Sequence, residues 1–229
     1  LSVEARPFDS DRMCRNASIF AAAGGKVSVL KELPFGPPYY LNSEEHPKRT
    51  PLEIAAEFGS IDVLQYLWSE GVDVCTTRDV HPISLACFNG HANVVEFYLR
   101  LGVNVNKPDP MSLTPLHYAC LGGQEQVVKV LLEHNASPLV FTSDRIIPLV
   151  YAASSGSLGT VKIMCEASKK PISKRRLKYI PIVEAAKEGH LDVVKYLIEE
   201  VFDINSKDSK LRTPLIAASS HKKAKVVKY

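Results

Sequence analysis

Small, apolar and turn-forming residues return along this chain at a fixed interval. Pro51, Pro82, Pro115, Pro148, Pro181 and Pro214 are separated by 31, 33, 33, 33 and 33 residues. Each is followed by Leu or Ile, then by a pair of small residues: Ala55-Ala56, Ala86-Cys87, Ala119-Cys120, Ala152-Ala153, Ala185-Ala186 and Ala218-Ser219. Gly59, Gly90, Gly123, Gly156 and Gly189 stand three residues beyond the first five pairs, and Lys222 takes that place in the sixth. Four residues further begin Val63-Leu64, Val94-Val95, Val127-Val128, Thr160-Val161, Val193-Val194 and Val226-Val227.

The pattern predicts two short helices per copy. Proline is preset for the first helical position and needs no N–H there. Thr50, Thr114 and Thr213 precede it as N-caps. Alanine marks where a neighbour approaches closely, and glycine ends the helix in a left-handed turn. The second helix carries apolar residues on one face, as at Val63, Leu64 and Leu67. It ends at Gly71, Gly102 or Asn135. Neither helix is long enough to stand alone, so each buries its face against the next copy, which is the logic of a solenoid.

Departures from the pattern carry their own expectations. His81, Ile147 and Ile180 replace the capping threonine, so those helices are less firmly started. Val201 replaces the turn Gly or Asn, so a strained turn or a local rearrangement is expected there. Residues 34–40, Pro-Phe-Gly-Pro-Pro-Tyr-Tyr, do not support a helix.

Thr114-Pro115-Leu116-His117-Tyr118-Ala119 is similar to the TPLHxA signature of ankyrin repeats. Residues 90–95 and 189–197 resemble that family's GHxxVVxxL segment. Five copies match well, starting near residues 45, 76, 109, 142 and 175, and a truncated copy occupies 208–229. Ala21, Ala22, Gly25 and Val29-Leu30 mark a degenerate first copy at 13–44, with residues 1–12 as an N-terminal extension. The resemblance implies an all-α repeat solenoid with β-hairpin fingers, a stack of about six to seven copies over 13–229. A start at Leu1 rather than Met, and a last copy with no polar cap, are read as signs of a piece of a longer polypeptide.

Composition narrows the function. No apolar run approaches the roughly 20 residues of a bilayer span, and no secretory signal opens the chain. Cys14, Cys75, Cys87, Cys120 and Cys165 are odd in number and lack CxxC spacing, which argues against a disulfide framework and a zinc site. A reducing, cytoplasmic compartment is expected, with the nucleus as the alternative. The sequons at Asn16 and Asn135 would matter only in a secreted protein. Phosphate-binding loop, nucleophile-elbow and dinucleotide signatures are missing, so the chain reads as non-catalytic, with no cofactor and no metal. In the family His91, His117 and His190 tie backbones together, and Cys87 and Cys120 read as small core residues in place of alanine.

The formal net charge of +3 hides an asymmetry. Residues 1–110 carry 10 Lys/Arg against 14 Asp/Glu, and residues 111–229 carry 18 against 11. Lys169, Lys170, Lys174, Arg175, Arg176 and Lys178 form a basic patch in one finger. It reads either as a solvated loop or as a seat for an acidic partner. By resemblance, partners lie along the concave face and the fingers. That places Phe58, Phe88 and Leu121 on inner helices, and Arg49, Arg78, Met111, Leu113, Arg145, Arg176 and Tyr179 on fingers. The expected function is a monomeric protein-interaction module that holds a protein or peptide partner segment, with an acidic segment as the candidate for the basic finger. The alternative is an electrostatic binder of nucleic acid or acidic lipid through the basic half, with nucleic acid disfavoured by the scarcity of accompanying aromatics. Trp68 is expected to pack between repeats or against the 34–40 segment.

Overall fold

The computed structural model describes residues 17–33, 50–74, 81–168 and 178–229. Fourteen helices and no strand occur among them. The chain divides into two compact units, Leu1–Leu101 and Gly102–Tyr229.

Unit 1 contains α1 (17–23), α2 (Val27–Glu32), α3 (Pro51–Glu57), α4 (Ile61–Ser69), α5 (Pro82–Asn89) and α6 (Ala92–Arg100). Inner helices α3 and α5 pack side by side, and outer helices α2, α4 and α6 form the row behind them. Val63, Leu64 and Leu67 on α4, and Val94, Val95 and Tyr98 on α6, fill the space between the rows. Burying one such side chain contributes roughly 1.5–3 kcal/mol, so packing rather than intrinsic propensity holds these short helices. Trp68 is exposed at the end of α4 and meets the ring of Phe97 on α6 edge-on, with centroids 6.4 Å apart. The 34–40 segment lies outside the described residues.

Unit 2 repeats the arrangement. Its inner row is α7 (Pro115–Leu121), α9 (Pro148–Ser155), α11 (Pro181–Glu188) and α13 (Pro214–Ser220). Its outer row is α8 (Glu125–Glu133), α10 (Leu158–Ala167), α12 (Leu191–Glu200) and α14 (Ala224–Lys228). Each helix packs against the next in its own row, and each inner helix packs against its own outer partner.

The helix starts follow the capping logic. Thr50 closes a capping box: its hydroxyl accepts from Glu53 N–H at 3.2 Å, and its own N–H donates to Glu53 Oε2 at 2.8 Å. Thr213 accepts from Ile216 N–H at 3.3 Å. At Thr114 the reciprocal partner is a histidine, since Thr114 N–H donates to His117 Nδ1 at 3.0 Å. The weakened starts are not alike. Nδ1 of His81 still accepts from Ile83 N–H at 3.4 Å, whereas Ile147 and Ile180 make no side-chain cap and serve as core.

The inner helices end in left-handed turns at all five glycines, and Lys222 adopts the same backbone at φ 56°. Val201 does not. At φ −135° and ψ −42° it leaves the left-handed region, and Phe202 N–H closes onto Leu197 O at 2.7 Å. A β-branched residue is costly at positive φ, so the chain rearranges there.

No strand ladder occurs at the expected β-hairpin fingers among the described residues. Each described finger is a five-residue turn: Asp109 to Leu113, Thr142 to Ile146, and Asp208 to Arg212. The first residue's N–H donates to the fifth residue's carbonyl at 2.9–3.1 Å, and the fourth residue's N–H donates back to the first carbonyl at 2.9 Å. Ser112, Arg145 and Leu211, the fourth residues, sit at positive φ. This is the hydrogen bonding of a three-residue hairpin loop, a type I turn followed by a left-handed residue, with no strand ladder extending from it among the described residues.

Candidate partner-binding surface

A side chain at the first finger position organises each turn. Asp109 Oδ1 accepts from Met111 and Leu113 N–H, both at 2.8 Å, and Asp208 Oδ1 accepts from Lys210 and Arg212 N–H, both at 2.9 Å. Thr142 does the same more weakly, through Ile146 N–H at 3.2 Å. The second carboxylate oxygen reaches a side chain. Asp109 Oδ2 accepts from the Tyr118 hydroxyl at 2.7 Å, and Asp208 Oδ2 holds Arg212 Nε at 2.8 Å.

The finger turns present some side chains and withdraw others. Met111 and Arg145 are exposed, and Tyr179 is half-buried with Lys178 Nζ 5.5 Å from its ring centre. Lys178 also pairs with Asp144 at 2.9 Å, and that hydrogen bond raises its pKa. Leu113 does not belong to the presented set. It is buried, because the Asp109 turn folds it inward just before the capping Thr114.

At the inner-helix ends, Phe58 is 57% exposed and Phe88 42% in unit 1, and Leu121 is 37% exposed in unit 2. Phe58 follows the last turn of α3, and Phe88 and Leu121 lie in the last turns of α5 and α7. The small-residue pairs behind them are fully buried. Arg49, Arg78, Lys169, Lys170, Lys174, Arg175 and Arg176 lie outside the described residues, so the basic patch is represented here by Lys178 alone.

An ion network in unit 2 was not foreseen from the sequence. Glu184, buried on α11, meets Arg212 at 3.3 Å and Lys187 at 3.1 Å, while Arg212 reaches the buried Asp208 at 2.6 Å. The hydrogen bond to Asp208 raises the Arg212 pKa, and the bond between Lys187 and Glu188 holds the Glu188 carboxyl below its usual range. One signal was available: Asp109 and Asp208 both stand six residues before their prolines.

The histidines and cysteines are used for structure. His91 Nε2 donates to Glu57 O at 2.8 Å, and His190 Nε2 donates to Ser154 O at 3.0 Å, each tying an outer helix start to the preceding inner helix. His117 accepts from Thr114 at Nδ1 and donates from Nε2 to Ile146 O at 3.3 Å. Burial lowers its pKa to about 4. Cys87 and Cys120 are buried, and burial pushes the Cys120 thiol up. No group of three His, Cys, Asp or Glu among the described residues could hold a metal ion. No helix among them is long and apolar enough to cross a membrane.

Comparison with known proteins interprets this geometry. A family model described as "Ankyrin repeats (3 copies)" matches residues 83–175 and 149–229, and one described as "Ankyrin repeat" matches 47–76. The chain belongs to the ankyrin-repeat family. The crystal structure of the human ASB11 ankyrin repeat domain is similar, with 32% sequence identity and a TM-score of 0.61. That similarity covers 65% of this chain and 67% of that one. No curated protein matches. Ankyrin repeats are generally protein–protein interaction modules, and the fold is generally a non-catalytic scaffold.

Proposed function

We propose that this ankyrin-repeat chain holds protein partner segments along the inner-helix ends and finger tips of each unit. The stack is taken as about six to seven copies. The exposure of Phe58, Phe88 and Leu121 carries the reading, because each is a large apolar side chain at the open end of an inner helix. Such residues, rimmed by polar ones, usually mark an interface. Met111, Arg145 and Tyr179 contribute from the fingers, and the six basic residues between Lys169 and Lys178 favour acidic positions on the partner. Fingers closed by their own Asp or Thr are preorganised, so binding loses little conformational entropy on this side.

The test is a selection of displayed peptides against the chain, repeated with the Phe58→Ala/Phe88→Ala variant. Peptides enriched on the parent should be lost on the variant while its helical circular dichroism persists. Equal enrichment on both, or a variant that melts, refutes the proposal. Charge reversal at 174–176 should remove the acidic members of the selected set.

A further inference from the structure

The outer row of unit 1 carries an aromatic pair that its packing does not require. Trp68 follows Pro51 at the interval at which Leu99 follows Pro82, Leu132 follows Pro115, Cys165 follows Pro148 and Ile198 follows Pro181. In those copies a smaller, half-buried side chain suffices at this position. Trp68 is 54% exposed. Its ring meets half-buried Phe97 edge-on from α4 to α6, at an interplanar angle of 84°. A tryptophan left open beside a second ring has the character of an interface anchor.

The two segments that carry this pair are acidic. Residues 61–73 and 92–101 hold Asp62, Glu70, Asp73 and Glu96 against Arg100 alone. Arg100 is itself engaged by Glu96 at 3.1 Å. Asp62 stands in the first turn of α4 and Glu70 just past its end, both exposed. The same row already seats a cation on a ring. Lys31 Nζ on α2 lies 5.5 Å from the centre of the Tyr66 ring on α4, within cation–π range.

We infer that the outer face of α4 and α6 docks an extended, arginine-bearing segment of a partner protein. A guanidinium stacks on the Trp68 ring, and its N–H groups meet the carboxylates around it. Arginine suits this seat better than lysine, because its plane stacks on a ring while its fork pairs with a carboxylate. Nucleic acid and acidic lipid match the rings and are repelled by the carboxylates. A second copy of this chain would set two net-negative faces together. Trp68 and Phe97 lie on outer helices, whereas Phe58 and Phe88 end inner ones, so the two surfaces are tested apart.

Trp68 is the single tryptophan of the chain, so its emission reports on this site. The experiment titrates the 229-residue chain with a peptide of alternating arginine and proline, which stays extended. Emission is read with the unlabelled peptide, and affinity by anisotropy of its fluorescein-labelled form. Lysine–proline and glutamate–proline counterparts and phosphatidylserine-containing vesicles are run in parallel. The arginine peptide should bind, shift the Trp68 emission and bind more weakly as salt is added. The lysine peptide should bind at least about fivefold more weakly, and the glutamate peptide not at all. Trp68→Leu, which matches Leu99 and Leu132, should weaken binding by at least about tenfold. Asp62→Asn/Glu70→Gln should weaken it by about fivefold. Phe58→Ala/Phe88→Ala should leave it unchanged. Circular dichroism checks each variant, and if Trp68→Leu unfolds, the Asp62→Asn/Glu70→Gln pair decides. The inference is overturned by no binding, by binding that leaves the Trp68 emission unmoved, or by equal affinity for the lysine peptide. It is equally overturned by a preference for vesicles, or by undiminished binding to a folded Trp68→Leu variant.

Discussion

The imidazole of His190 closes over Gly156. Its Nε2 donates to Ser154 O at 3.0 Å, and its ring fills the space that a β-carbon on Gly156 would need. Gly156 also lies at φ +79°, where an L side chain is strained. Gly156→Ala should therefore cost about 2 kcal/mol, from left-handed strain and displacement of the histidine. His190→Ala should lose about 1 kcal/mol for the hydrogen bond. The two should not add, because the histidine variant opens the space the new methyl needs. A double-mutant cycle in urea reads this directly, and strict additivity would show the contact to be unimportant. Gly59 and His91 provide an independent pair with the same arrangement.

Asp208 and Asp109 start their fingers alike but differ in what else they hold. Asp208→Ala leaves Arg212 with Glu184 as its one carboxylate and removes the acceptor of two backbone N–H groups, costing on the order of 3 kcal/mol. Asp109→Ala removes acceptors from two backbone N–H groups and from Tyr118, costing about 2 kcal/mol. Tyr118→Phe should cost less than either, because Asp109 keeps both backbone donors. Denaturation midpoints should fall in that order.

His117 makes stability depend on pH. Its folded pKa of about 4 lies below its ordinary value of 6.5, with burial as the main cause. The unfolded chain therefore binds the extra proton first. Stability from this group is complete above about pH 6.5 and is lost as pH falls toward 4, by up to roughly 3 kcal/mol. His117→Asn should be less stable at neutral pH and show a shallower decline between pH 6.5 and 4.5. Parallel declines would place the titration elsewhere.

Lys222 and Val201 both stand where other repeats carry a turn residue, and they should respond oppositely to glycine. Lys222 has φ 56°, so Lys222→Gly relieves left-handed strain and should stabilise by about 1 kcal/mol. Val201 has φ −135°, so Val201→Gly relieves nothing and only loosens the unfolded chain, destabilising by about 0.5–1 kcal/mol. Thermal unfolding should move upward for the first and downward for the second.

Much of the fold was legible because its signals act within a few residues. A proline's preset φ, a threonine hydroxyl reaching the third helical N–H and a glycine's missing β-carbon need no distant partner. At 33-residue intervals they declare the repeat, and they located the starts of α3, α5, α7, α9, α11 and α13. The finger turns were legible in position, whereas the Asp109 and Asp208 carboxylates that organise them act on backbone groups no helix or repeat signal pointed to.

The sequence by itself thus determined the repeat, the helix pairs and the family, because capping and turn chemistry are local. Tertiary structure alone decided which side chains face outward. It buried Leu113 and left Met111 in water, although they are two residues apart on one finger. It joined Glu184 to Arg212 across 28 positions of sequence. Burial depends on what the neighbouring repeat lays against a residue, and local preference carries no information about that neighbour.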